Sequence, residues 1–285
     1  MTRAPFLAAL VAATAGLACA TRPTTGTASV NGTRLYYEIR GSGPTVVLLQ
    51  GGQLPLEMWD DQFAFLARDF RVVRYDARGF GRSAPKSGPF ESHEDLYGLM
   101  RVLGIARASL VGLSLGGRVA IDFALTHPEM VERMVLAGPG LSGFGWSGDR
   151  EPWVDSAIAA LNARDSVRVS LLWLQSGYMK PAMRDSTLAR RLRELTVRNA
   201  SLWMQPDSER VLEPPAVGRL STIRIPTLVL IGTQEVPDIF RIVDTVVAAI
   251  PGARRVVIEG AGHMLNMERP AEFNRLVREF LRAPN

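Results

Sequence analysis

Short apolar runs alternate with helical patterns along this chain, and that alternation limits the folds open to it. The first such runs, which amphipathic segments separate, are TVVLLQ, RVVRYD, ASLVG and RMVLAG. A continuous apolar run is typical of a strand buried on both faces of a sheet. Strands that alternate with helices form parallel sheets, because each helix carries the chain back to the edge where the strand began. We therefore predict an α/β fold with a mostly parallel, doubly wound sheet.

The start and the middle of the chain depart from this alternation. Residues 21–27 are polar and are interpreted as a linker, and Asn31-Gly32 between strand-like runs predicts an N-terminal hairpin. From Leu141 to about Gly218 no strand-like run occurs, and glycines and prolines separate helical segments. Strand and helix patterns then resume. We expect a core made of residues 28–140 and 219–285 and a helical cap made of residues 141–218.

Residues 1–20 have the composition of an export signal. A positive start, MTR, precedes the charge-free stretch APFLAALVAATAGLA, which is too short and too rich in alanine for a membrane-spanning helix. Two processing sites overlap at its end. Residues 18–20 (ACA) match ordinary cleavage, whereas AGLAC resembles a bacterial lipobox with Cys19, the only cysteine, as the lipidated residue. We expect export, either to the bacterial periplasm or to a lipid-anchored position in the envelope.

The formal net charge of +5 comes from arginines that are scattered among acids, as in MRDSTLARRLRELTVR. No continuous basic stripe occurs, so we interpret these arginines as a solvated surface and expect no nucleic-acid partner. Any contact with a membrane is expected only through the signal or a lipid on Cys19.

Residues 112–116 read G-L-S-L-G between a predicted strand and a predicted helix. This matches G-x-S-x-G, in which the serine takes a strained backbone conformation and its Oγ projects beyond the sheet. A Cβ two residues before or after the serine would clash, so glycine stands at both positions. The following helix directs its first amides to the same place. The pattern predicts Ser114 as a nucleophile; the alternative is a glycine-rich turn that closes a βα unit.

A serine hydroxyl needs a base, and the chain has three histidines. His93 stands among acids at a helix start and is interpreted as a solvated surface residue. His127 precedes a proline at a helix end, where a capping role is expected. His263 follows a predicted strand, at the edge of the sheet where catalytic groups collect. We therefore predict His263 as the base.

An orienting carboxylate is expected between Ser114 and His263 in the chain, at the end of a strand. Glu235 and Asp238 both follow the apolar run TLVLIG. Glu235 is nearer the strand end and is favoured. Asp238 stays open as the alternative acid, although it would also suit the N-cap of a helix that starts at Ile239.

With these residues in order, the chain resembles the cap-bearing serine esterases and lactonases of the α/β-hydrolase family. DARGFGRS, at residues 76–83, resembles the family's D-x-R-G-x-G-x-S loop, and GAGHMLNMERPAEFNRLVREFL resembles its histidine loop and last helix. The resemblance runs from the hairpin to the end of the chain. It implies hydrolysis of a small-molecule ester or lactone by Ser114, His263 and Glu235 through an acyl-enzyme, with no metal or organic cofactor.

The resemblance also implies an oxyanion hole made by the amides of Gly52 and Leu115. The family usually has His-Gly where this chain has Gln50-Gly51, and usually has aspartate as the acid. Serine at the sharp turn between strand and helix, the nucleophile elbow, argues against haloalkane dehalogenases and epoxide hydrolases, which have an aspartate there. The alternatives kept open are carbon–carbon bond hydrolysis, a haloperoxidase-like reaction, and a non-catalytic binding or envelope protein.

Two further features concern ligands. Residues 138–143 read G-P-G-L-S-G, but the turn is not followed by a helical pattern, so a dinucleotide cofactor is not expected. Phe144 and Trp146, just after this turn, are predicted to line the substrate pocket. Other large side chains of the insertion are interpreted as lid lining or as the insertion's own core: Trp153, Met179, Met183 and Trp203.

Overall fold

The computed structural model describes residues 22–147, 151–206 and 208–284. The predicted signal at residues 1–20, with Cys19, lies outside them. The strands are β1 (Thr24–Val30), β2 (Thr33–Arg40), β3 (Thr45–Leu49), β4 (Arg71–Tyr75), β5 (Ala108–Leu113), β6 (Val131–Ala137), β7 (Thr227–Gly232) and β8 (Arg254–Ile258). The α-helices are α1 (Asp60–Leu66), α2 (Ser92–Val102), α3 (Leu115–Thr126), α4 (Trp153–Asn162), α5 (Ser166–Trp173), α6 (Ser186–Arg198), α7 (Pro237–Ala249), α8 (Leu265–Glu268) and α9 (Pro270–Arg282).

The strands form one sheet in the order β1-β2-β4-β3-β5-β6-β7-β8. The pairings β1–β2 and β2–β4 are antiparallel, and every pairing from β4 and β3 to β8 is parallel. Asn31 and Gly32 close the hairpin between β1 and β2 with φ values of 44° and 73°, the positive values that a tight hairpin turn requires. The predicted mostly parallel sheet with an N-terminal hairpin is confirmed.

The polar stretch at residues 21–27 is not a linker along its whole length. Strand β1 begins at Thr24, which pairs with Ile39, and the ladder continues without a break to the turn. Polarity misled the prediction because β1 is an edge strand, where threonine suits the pleated and partly solvated surface. Backbone hydrogen bonds to β2 hold this segment whatever its side chains are.

Helices cover both faces of the sheet. In β3, Val47 and Leu49 belong to the core beneath α2, α3 and α7, whereas Val46 and Leu48 belong to the core beneath α1 and α9. Side chains alternate between the two faces of a strand, so a strand covered on both sides is apolar at every position. This doubly wound arrangement brings the carboxyl ends of β3, β5, β6, β7 and β8 to one edge.

Between β6 and β7 the described residues form α4, α5, α6 and several short 3₁₀ turns. The cap contacts the core above the carboxyl edge. Arg191 of α6 donates to Asp60 and to the carbonyl of Glu57, and Asn199 bonds two core loops. In the described parts of the chain no helix combines the length and hydropathy needed to cross a bilayer.

Candidate active site

Ser114 stands at the sharp turn between β5 and α3. Its backbone has φ 52° and ψ −111°, a conformation that costs energy for a residue with a side chain. A Cβ on Gly112 would lie 2.3 Å from the carbonyl oxygen of Gly116, and a Cβ on Gly116 would lie 2.1 Å from that of Leu49. Both positions therefore need glycine. The structure has the elbow that the G-x-S-x-G pattern predicts.

His263 lies in the loop after β8, and its imidazole is paired with an acid. His263 Nδ1 is 2.7 Å from Glu235 Oε2, and both residues are buried. This contact occupies Nδ1 and leaves Nε2 as the second ring nitrogen for the reaction. Ser114 and His263 line the same small cavity, of about 170 Å³. No hydrogen bond joins the side chains of Ser114 and His263 among the described residues. In ligand-free enzymes the hydrogen bond between a nucleophile and its base is commonly long.

Glu235 and Asp238 are separated by the start of α7. The second Glu235 oxygen accepts from the amide of Val236 at 2.9 Å, which fixes the carboxylate beside His263. Asp238 instead accepts from the amide and the hydroxyl of Ser147, each at 3.0 Å, and pairs with Arg241. The hydrogen bond from Arg241, with those from Ser147, lowers the pKa of Asp238. Of the two acids that the sequence leaves open, only Glu235 contacts the imidazole.

Gly138 explains part of the G-P-G-L-S-G turn. It has φ 46°, and a Cβ at this position would lie 3.0 Å from Glu235 Oε2 and 3.3 Å from His263 Nδ1. A larger residue would thus press against the acid–histidine pair. The segment leads out of the sheet into the cap, and no helix follows it directly.

The two predicted oxyanion donors border a second, larger cavity of about 350 Å³, which both Gly52 and Leu115 line. Leu115 is the first residue of α3, where an amide has no acceptor within the helix. Gly52 lines the small cavity of Ser114 as well. Gly52 therefore lies on the walls of both cavities.

Gln50, the residue that stands where the family usually has histidine, is buried beneath this loop. Its Oε1 accepts from the amide of Ala77 at 3.4 Å, whereas its Nε2 is buried with no acceptor among the described residues. The neighbouring Asp76 accepts from the amides of Leu56 and Arg82, and burial raises its pKa. The D-x-R-G-x-G-x-S loop thus supports the loop that carries Gly52.

The structure places Phe144 and Trp146 away from both cavities. Their rings contact each other edge to face, with centroids 5.7 Å apart, and Trp146 is 51% exposed. Neither residue lines the cavity of Ser114 or that of Gly52 and Leu115. The prediction relied on closeness in the chain to the end of β6, but the chain turns outward at Gly143, which has φ 82°.

The aromatic walls come from farther along the cap. Trp173 and Tyr178 line the small cavity, and Trp203 lines the larger one. The Tyr178 ring meets His263 edge to face, with centroids 4.9 Å apart. Burial raises the pKa of Tyr178 to about 12, still farther above neutral pH than its ordinary value of 10, and the protonated hydroxyl can donate. Sequence patterns did not distinguish Trp173 and Tyr178 from ordinary helix and turn residues.

The other two histidines lie away from Ser114. His93 is buried, with Nε2 3.3 Å from Glu91 and 3.6 Å from Glu94, so the prediction of a solvated surface residue is wrong. His93 lies in the first turn of α2 and faces the core, so its ring is buried although acids stand next to it in the chain. His127 ends α3, stacks on Tyr97 at 4.3 Å and contacts Glu94.

Glu268 is a residue of the site that sequence reasoning missed. Its carboxylate accepts from the amide of Gly262 at 2.9 Å and from that of Met264 at 3.0 Å, the residues on either side of His263. Burial raises the pKa of Glu268. The only available signal was an acid shortly after the histidine, at the end of what becomes α8.

Comparison with known proteins agrees with this geometry. The chain matches the Alpha/beta hydrolase family over residues 46–276. It is 31% identical over 268 residues to 2-hydroxy-6-oxononadienedioate/2-hydroxy-6-oxononatrienedioate hydrolase of Burkholderia vietnamiensis, covering 87% of this chain and 91% of that relative. It is 27% identical over 251 residues to carboxylesterase YbfK of Bacillus subtilis, covering 84% and 80%. The solved structure of an enol-lactonase from Burkholderia xenovorans aligns with a TM-score of 0.74 and 30% identity, covering 90% of this chain and 100% of the enol-lactonase. The chain therefore belongs to the alpha/beta hydrolase family.

Proposed function

We propose that this protein is an exported serine hydrolase that cleaves carboxylic esters or lactones. The observation that carries the proposal is that His263, hydrogen-bonded to the buried Glu235, lines the same cavity as the strained Ser114. Similarity to a carboxylesterase and to an enol-lactonase supports ester and lactone bonds as the substrate class.

The reaction has two acyl transfers. Ser114 Oγ attacks the carbonyl carbon while His263 Nε2 takes its proton, and Glu235 holds the imidazole and stabilises the imidazolium. The amides of Gly52 and Leu115 donate to the oxyanion. His263 then gives the proton to the leaving oxygen, and an acyl-enzyme on Ser114 remains. Water, deprotonated by His263, releases the acid by the same steps in reverse.

A chromogenic ester and an active-site probe test this proposal. The wild-type protein should hydrolyse p-nitrophenyl butyrate and react with a fluorophosphonate, whereas Ser114→Ala should lose at least about 10⁴-fold in kcat and all labelling. Ser221→Ala, at an exposed position, is the control and should behave as wild type. Activity retained in purified Ser114→Ala would contradict the nucleophile, and a wild type that is neither active nor labelled would support the non-catalytic alternative.

Hydrolysis of a carbon–carbon bond beside a ketone is the second candidate. The same triad can serve it, and the 31% identity to the Burkholderia vietnamiensis hydrolase favours it. Steady-state assays with a 2-hydroxy-6-oxodienoate beside p-nitrophenyl butyrate separate the two. A kcat/KM at least about 100-fold higher for the dienoate would overturn ester hydrolysis as the main activity.

Export is part of the proposal and rests on the composition of residues 1–20. Fractionation of a Gram-negative host that expresses the full chain tests it. If Cys19 is lipidated, the wild type will be in the membrane fraction and Cys19→Ser will be in the periplasm. Cleavage after Ala20 instead predicts periplasmic protein with Thr21 at its N-terminus in both cases. Cytoplasmic protein that retains residues 1–20 would contradict export.

A further inference from the structure

The two cavities meet at Gly52, and the proton transfer determines which part of an ester each one holds. His263 must be next to the oxygen that leaves, because it donates the proton to that oxygen. His263 lines only the small cavity, together with Trp173 and Tyr178. The alcohol part therefore belongs there. The acyl part extends to the other side of the oxyanion donors, into the cavity of about 350 Å³.

The wall of the larger cavity carries a donor that has no acceptor among the residues that the structure describes. Gln50 lines this cavity and is only 4% exposed, and its Nε2 is buried without a partner among the described residues. A buried donor that has lost water and gained no acceptor costs free energy, so native proteins seldom leave one unpaired. Its other amide atom is held by Ala77, which fixes the direction of the side chain. An acceptor on a ligand would remove the cost.

Among the described residues, one cation on the cavity wall has no carboxylate partner. Asp95 is held by Arg78, with both Asp95 oxygens at 2.8 Å from the guanidinium. Glu209, the other acid on the wall, is paired with Arg118. Lys86 also lines the cavity, is half-buried, and has no carboxylate within ion-pair distance in the part of the chain that the structure describes. Within the described part of the chain, the wall thus presents Lys86 without a carboxylate partner and Gln50 Nε2 without an acceptor.

Apolar side chains form much of the remaining surface, so the cavity suits an aliphatic chain with a polar end. The side chains that give it this character are Leu49, Phe80, Phe90, Val119, Leu202 and Trp203. An alkyl chain would contact these residues on its way from the scissile carbonyl to a terminal group.

We propose that the larger cavity binds an acyl chain that ends in a carboxylate, held by Lys86 Nζ and Gln50 Nε2, so that the preferred substrates are half-esters of short dicarboxylic acids. This inference rests on the proposed ester hydrolysis. Water splits the ester C–O bond, its hydroxyl joins the acyl carbon and its proton goes to the alkoxide. The products are the free dicarboxylate and the alcohol.

Two ethyl esters of equal chain length test the preference. Monoethyl adipate carries the terminal carboxylate, and ethyl hexanoate carries a methyl group in its place. For the wild type we expect kcat/KM to be at least 10-fold higher for monoethyl adipate. Lys86→Met and Gln50→Leu should each reduce the ratio of the two kcat/KM values about 10-fold. Lys180→Met is the matched control, because Lys180 is the other lysine of the chain, is exposed and lines neither cavity; its ratio should equal the wild type's.

The outcomes separate this inference from the proposed function. If ethyl hexanoate is hydrolysed but the wild type does not prefer monoethyl adipate, or Lys86→Met keeps the preference, the carboxylate site is wrong and ester hydrolysis stands. If neither ester is hydrolysed, the proposed function fails for these esters, and calorimetry with adipate tests the cavity directly. The site is supported if adipate binds the wild type and Lys180→Met alike and binds Lys86→Met at least 10-fold more weakly. The site is overturned if adipate does not bind the wild type, or binds all three proteins with the same affinity.

Discussion

Glu235 and Asp238 lie in one short segment, yet the fold gives them different partners. Glu235 is the third residue after β7, at the carboxyl edge of the sheet, where it contacts His263. Asp238 is in the first turn of α7, where an acid is favourable, and its oxygens are taken by Ser147 and Arg241. The longer glutamate side chain fits because Gly138 has no Cβ to occupy the space beside its carboxylate.

Neutral variants of the two acids test this division. Glu235→Gln should lower kcat for p-nitrophenyl butyrate by about 10²–10⁴-fold, because an amide neither holds the reactive tautomer nor stabilises the imidazolium. Asp238→Asn, the matched control, should keep kcat within about threefold. Equal losses in the two variants, or a larger loss in Asp238→Asn, would contradict Glu235 as the orienting acid.

The histidine loop and α8 form one small unit. The chain turns from β8 through Gly262, His263 and Met264 into α8, and Glu268 at its last turn accepts from the amides on both sides of the histidine. A carboxylate can accept two N–H groups at once, one at each oxygen. The helix that follows His263 therefore holds the backbone on both sides of this residue.

Replacing this carboxylate by an amide of the same shape should affect rate rather than folding. In Glu268→Gln one oxygen becomes an NH₂ group, which faces an N–H donor and cannot accept from it. We expect kcat to fall about 10-fold at neutral pH through displacement of the imidazole, as small misplacements commonly do. Glu279→Gln in α9, which is exposed, is the control and should keep the wild-type kcat. An unchanged kcat in Glu268→Gln would contradict a positioning role.

The pH dependence of stability has a definite sign at this element. Burial raises the pKa of Glu268 above its ordinary value of 4.5, so the unfolded chain releases this proton at lower pH than the folded chain. As pH rises through the interval between the two values, the unfolded state is favoured, and wild type loses stability. Glu268→Gln lacks this titration. Its free energy of unfolding, measured in urea from pH 4 to 7, should therefore rise relative to wild type; a relative fall would contradict the shift.

At the scale of the molecule, the sequence patterns that predict the fold are also those that predict the catalytic edge. Apolar runs alternating with helices imply a parallel sheet, and a parallel sheet brings Ser114, Glu235 and His263 together although they are far apart in the chain. Glycine at positions 112 and 116 adds the elbow. The fold prediction is confirmed, and the three predicted site residues lie close together, because both inferences depend on local sequence and on one rule of topology.

The walls of the cavities could not be predicted in this way. Tertiary packing decides which face of a cap helix lies over the sheet. Periodicity alone therefore does not show that Trp173, at the end of α5, lines a cavity and that Trp146 does not. The orientation of the Gln50 amide depends on the hydrogen bond from the Ala77 amide to its Oε1, which joins two loops. Hydrogen bonds of this kind join segments that are distant in the chain, so no periodicity or motif in the sequence predicts them.

Asn199 joins the cap to the oxyanion loop and so connects the largest units of the molecule. Just after α6, this buried side chain donates from Nδ2 to the carbonyl of Gln53 at 3.2 Å and accepts at Oδ1 from the amide of Gly81 at 2.8 Å. Gln53 has φ 66° and follows Gly52 directly. The cap thus holds the turn that presents one of the two proposed oxyanion donors.

Loss of this contact should change the rate of acyl transfer from a distance. In Asn199→Ala the carbonyl of Gln53 loses its donor, the Gly52 amide is less well directed, and we expect kcat for p-nitrophenyl butyrate to fall about 10-fold. That is less than the 10²–10³-fold cost of removing an oxyanion donor, because the amide itself remains. Asn162→Ala, at an exposed position at the end of α4, is the matched control and should keep the wild-type kcat. Suppose that circular dichroism shows Asn199→Ala to be folded and that its kcat equals the wild-type value. The cap then covers the site without orienting the oxyanion loop, and the core alone holds Gly52.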